Sequence, residues 1–172
     1  MVYVITTMQL NSTVLKRSTL LLVVLILPFN AIHEIGHLIP CVMNGGEGTV
    51  VVGIIASQAT CSLIQNSLVF AFAGGLFATL VALMPLTIKR ISKYPSIRIV
   101  FISFALGHMM TALLETFARE FYMSDVANPI VSFATFSIYI GVLVLFCRKE
   151  KFTKEQWITS QEAGKLLERN EN

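Results

Sequence analysis

Residues 18–46 read STLLLVVLILPFNAIHEIGHLIPCVMNGG. The run is apolar from residue 18 to residue 43 apart from one ionisable knot, His33, Glu34 and His37. About 20 apolar residues cross a ~30 Å hydrocarbon core as a helix. The stretch therefore predicts a membrane helix with ionisable groups inside it. Lys16 and Arg17 precede it, as in a signal peptide. A signal peptide would end sooner and at a small-residue cleavage site. Here no A-x-A site follows and apolar character continues to Val42, so an uncleaved helix is expected.

The rest of the chain follows the same pattern. Of 172 residues, 55% are hydrophobic and only 13% charged, well under the ~25% charged residues of a soluble domain. Further apolar stretches at residues 68–88, 97–118 and 128–147 are each long enough to span a bilayer. The fold expected is an all-α membrane protein of about four transmembrane helices. Residues 47–67, EGTVVVGIIASQATCSLIQNS, follow Asn44, Gly45 and Gly46, and β-branched residues favour a strand across 49–55. Residues 1–148 thus form a membrane-embedded core. Residues 149–172 form a short tail, with Trp157, Ile158, Leu166 and Leu167 as surface anchors of a helix-compatible pattern.

Charge distribution sets an expected orientation. Lys16 and Arg17 precede the first span, Lys89, Arg90, Lys93 and Arg98 lie around the second connection, and Arg148, Lys149, Lys151, Lys154, Lys165 and Arg169 follow the fourth. Only Arg119 among the 13 basic residues falls on the other side. Positive residues concentrate on the cytoplasmic face, so both termini are expected there. Because the net charge of +3 sits in clusters beside apolar runs, it reads as a topology signal and gives no reason to expect a nucleic-acid partner.

The knot carries the chemistry. His33 and His37 are four residues apart, so a helix presents both imidazoles on one face to a single metal. Glu34 is placed to act on a metal-activated water, the HExxH arrangement of zinc proteases. Chance placement is disfavoured, because a charged carboxylate at mid-membrane costs about 2.5–3.5 kcal/mol on insertion scales. At ~1.5 Å per residue from Ser18, His33 lies about 22 Å and His37 about 28 Å into the core, so a water-accessible cavity is implied. Pro28 and Pro40 flank the motif and favour local bending. Gly36 suits a close neighbouring helix.

A catalytic zinc takes three protein ligands, and three residues compete for the third place. Asp125, in SDVANP at 124–129, is placed first, ahead of Glu115 and then His108. Counted from Ser96, His108 and Glu115 lie at depths of about 18 and 28 Å, so Glu115 better matches the motif. Each also has an ordinary structural reading: Asp125 near a helix cap, Glu115 paired with Arg119 at i+4, His108 as polar packing. Cys41, Cys61 and Cys147 show neither CxxC spacing nor a disulfide framework. Cys41 would stand about 12 Å along the helix from His33, too far to share a metal, and reads as a small apolar residue. A Cys41–Cys61 bridge stays open.

NAIHEIGHLIPCVMNGG at 30–46, the strand-prone stretch and FAGGLFATL at 72–80 together resemble the site-2 protease family of intramembrane metalloproteases. The likeness spans residues 30 to about 80. In that family HExxH lies on a membrane helix, a Gly-Gly turn and sheet-like segment follow, and the next helix carries an AGPxxN-type motif. Gly74 and Gly75 stand where the family often has Gly-Pro, and no NxxPxxxxDG motif supplies an aspartate ligand. The resemblance implies a zinc metalloendopeptidase, with Zn2+ on His33 and His37 and Glu34 as base, cleaving a membrane protein or peptide substrate in or beside the lipid bilayer. Residues 49–55 would then bind substrate by edge pairing, or else form a hairpin plugging the outer face. Two other classes compete: a non-proteolytic zinc-binding adaptor, chaperone or degenerate protease, and a small transporter using the histidines as a metal relay. Oligomeric state is not legible.

Overall fold

The computed structural model describes residues 12–53, 57–124, 126–127 and 129–146. Its elements are α1 (Ser12–Met43), β1 (Gly48–Val51), β2 (Gln58–Cys61), α2 (Leu68–Thr87), α3 (Lys89–Ser92), α4 (Pro95–Phe117), α5 (Arg119–Tyr122) and α6 (Pro129–Phe146). Four of these, α1, α2, α4 and α6, are long and apolar enough to cross a membrane. This is the architecture of a multi-pass membrane protein. The tail at 149–172 and its anchors lie outside the described residues.

Helix α1 is longer than its apolar run. Its 32 residues reach about 48 Å at ~1.5 Å each, because Lys16 and Arg17 are good helix formers and do not stop the helix. Pro28 and Pro40 both lie inside it. It ends where Gly45 takes a φ of 75°, open to glycine without a Cβ penalty, and the Gly46 amide donates to the Cys41 carbonyl at 2.9 Å. Helix α2 starts on a Ser67 cap whose hydroxyl accepts from the Phe70 amide at 3.1 Å. Helix α4 opens with Pro95, where a missing amide proton costs nothing.

β1 and β2 form an antiparallel hairpin with Gly48 opposite Cys61 and Val51 opposite Gln58. The strand-prone reading of 49–55 holds for its first half, while Ile54 and Ile55 lie outside the described residues. The hairpin folds back along α1. A Cβ on Gly48 would strike Leu38, the Ala59 amide faces Glu34, and the Asn30 side-chain amide donates to the Gly53 carbonyl at 3.4 Å. From Leu38 to Asn30 is about 12 Å of helix. Extended backbone at membrane depth survives only against protein or a wet cavity, so the hairpin lines the site.

Cys41 and Cys61 are joined by a disulfide with Cα atoms 5.8 Å apart. This corrects the reading of Cys41 as a plain apolar residue. A helix end and a strand 20 residues apart are brought together only by the hairpin's return. Both sulfurs sit in a buried cluster with Ala59 and Phe70.

The helices pack through small residues. A Cβ on Gly36 would fall 2.8 Å from Phe77 Cβ and 2.9 Å from the Ala73 carbonyl, and one on Gly75 would collide with the His108 carbonyl and Ala112. These three helices can approach closely only at such positions. Thr79 Oγ1 reinforces the contact, donating within reach of the Gly75 carbonyl at 2.7 Å and the Ala105 carbonyl at 3.2 Å. Phe29, Ala82, Val100, Phe104 and Ala105 fill the space toward the far end. Helix α6 joins by the Tyr139 hydroxyl, 2.9 Å from Ser18 Oγ and 3.0 Å from Thr19 Oγ1.

Candidate metal centre

His33, Glu34 and His37 lie on the buried face of α1, with exposures of 6, 7 and 6%. Glu115, on α4, is 8% exposed and meets them. His33 Nε2 is 3.0 Å from Glu115 Oε1, His37 Nε2 is 3.3 Å from Glu115 Oε2, and the two Nε2 atoms are 3.2 Å apart. Arg119 does not take up Glu115; its guanidinium donates instead to the Gln65 carbonyl and Asn66 Oδ1 at 3.2 and 3.1 Å.

The donor set fits a metal ion. Zinc binds imidazole nitrogen at about 2.0–2.1 Å in a tetrahedron, which places neighbouring donors about 3.3 Å apart. The three observed separations fall within a few tenths of that value. Glu115 Oε2 is buried with no hydrogen-bond partner, while His37 Nε2 lies 3.3 Å from it. A buried carboxylate oxygen left in that state is costly, and a cation among the three side chains removes the cost. His33, His37 and Glu115 can therefore hold a metal ion among the described residues.

Surrounding groups orient the ligands. His37 Nδ1 donates to the Phe70 carbonyl at 2.5 Å, which leaves its Nε2 lone pair facing the centre. Gly74 makes room for that ring, because a Cβ there would land on the imidazole. This gives Gly74 of FAGGLFATL a steric role that its sequence context did not reveal. The backbone amide of Ala59 on β2 faces the Glu34 carboxylate. Tyr122 on α5 approaches Glu115, and burial together with that carboxylate pushes its phenol up, so it remains a proton donor at neutral pH.

Of the three residues weighed as third ligand, Glu115 is brought to the histidines. His108 stands behind His33, its Nδ1 facing His33 Nδ1 at 3.3 Å. Asp125 lies outside the described residues. Sequence reasoning missed Phe70 and Ala59, which act through backbone groups that carry no residue signature. Tyr122 carried no such signal, because the helix of Glu115 ends at Phe117 and Tyr122 sits on the separate α5. Compared with known proteins, the chain matches no protein-family model, no curated protein and no solved structure.

Proposed function

We propose that the chain is an intramembrane zinc metalloprotease that hydrolyses peptide bonds of membrane-associated substrates. The observation that carries this reading is the completion of the HExxH pair by a buried carboxylate, Glu115, with Glu34 beside the three donors and not among them. Simple metal storage needs no such neighbour. We place both termini in the cytoplasm on the distribution of basic residues.

Zinc held by His33, His37 and Glu115 supplies Lewis acidity toward a scissile carbonyl and lowers the pKa of a water to about 7. The chain's residues do the rest. Glu34, held by the Ala59 amide, takes the proton of the attacking water on a carboxylate oxygen and returns it to the leaving amine nitrogen. The hairpin screens the site from lipid. The edge of β1 away from β2 offers main-chain groups to an unwound substrate strand, and exposed Val51 and Val52 lie beside it.

The test compares wild type with Glu34→Gln for zinc content and for cleavage of a reporter membrane protein. Zinc retained with cleavage reduced about 10²–10⁴-fold is expected when a general base is removed. Zinc bound by wild type with no cleavage of any reporter would favour the non-proteolytic reading.

A further inference from the structure

We infer that His108 is a positioning residue for His33, accepting a hydrogen bond from His33 Nδ1–H and so committing Nε2 of His33 to the metal; this rests on the zinc reading above. A histidine that ligates through Nε2 carries its proton on Nδ1, and that proton needs an acceptor. His37 has the Phe70 carbonyl. His33 Nδ1 has the Nδ1 of His108 at 3.3 Å, on the side of the ring away from Glu115 and His37.

Two facing Nδ1 atoms share one proton, so a neutral His108 protonated on Nε2 presents a lone pair to His33. The His108 ring is itself fixed. It stacks on Phe29 with centroids 5.7 Å apart and on Phe104 at 6.1 Å, and those two phenyl rings stack on each other at 4.3 Å. Gly75 lets α2 close on the backbone of His108. A rigid acceptor of this kind holds the plane as well as the tautomer of His33. Because its Nδ1 is turned to His33, His108 stands outside the group of three whose donor atoms converge.

Two variants separate this role from packing and from direct ligation. His108→Phe keeps an aromatic ring against Phe29 and Phe104 and removes the acceptor, whereas His108→Asn removes the ring and keeps an oxygen near the Nδ1 position. Each is purified as the full chain in detergent and measured for zinc affinity by chelator competition and for the visible spectrum of bound Co2+. The expected result is a 10–100-fold loss of affinity and an altered Co2+ spectrum for His108→Phe, with His108→Asn within about threefold of wild type. A Phe variant as tight as wild type, or an Asn variant as weak as the Phe variant, overturns the inference. Wild type that binds neither metal refutes the zinc reading itself.

Discussion

Replacing Glu115 by Gln tests the metal centre most directly. The substitution preserves shape and burial but replaces an anionic donor with a neutral amide at a point 3.0 Å from His33 Nε2 and 3.3 Å from His37 Nε2. Apparent zinc-binding free energies of about 10–16 kcal/mol for four-ligand sites assign about 2.5–4 kcal/mol to each ligand. Glu115→Gln should therefore weaken zinc binding by about 10²–10³-fold, since ~1.4 kcal/mol is tenfold. The assay is equilibrium competition against a chromophoric chelator on detergent-purified protein, with Asp125→Asn measured in parallel. Wild-type affinity in Glu115→Gln combined with loss of zinc in Asp125→Asn would refute the assignment of Glu115, whatever the fate of the two histidines.

Three other outcomes follow from the packing around the site. Gly74→Ala puts a methyl into the His37 ring; overpacking of this kind costs about 1–3 kcal/mol, and zinc affinity should fall with thermal stability, read by chelator competition and melting. Gly36→Ala meets Phe77 and the α2 backbone instead, so it should lower stability by a comparable ~1–3 kcal/mol, read as a lower melting temperature, while leaving the Co2+ spectrum of the bound ion unchanged. Alkylation of the denatured, unreduced protein should spare Cys41 and Cys61, both becoming reactive only after reduction, as intact mass and peptide mapping will show; free thiols at both positions would remove the bridge between α1 and the hairpin.

Much of this fold is written in local pattern. Four apolar runs fix four membrane helices because length and hydropathy are sufficient for a helix in lipid, where every backbone group must find its partner within the segment. Gly45 and the β-branched run after it end α1 and begin a strand for reasons local to those residues. His33, Glu34 and His37 were equally legible, because four-residue spacing on a helix is itself a geometric statement. Depth counting also carries information: at ~1.5 Å per residue it puts Glu115 level with the histidines.

What the chain alone left open depends on how separate segments meet. No spacing rule links His33 to Glu115, 82 residues later; the small residues of α1, α2 and α4 let the helices close to within a carboxylate's reach. The same holds for the Cys41–Cys61 bridge, which requires the hairpin to return along α1, and for Phe70 and Ala59, whose contributions are backbone groups common to every residue type. Sequence determined the helices and the histidine pair on α1, since those are properties of one segment in lipid. Tertiary structure decided which carboxylate meets the two histidines and which groups orient the set, since those arise only where three helices and a hairpin pack together.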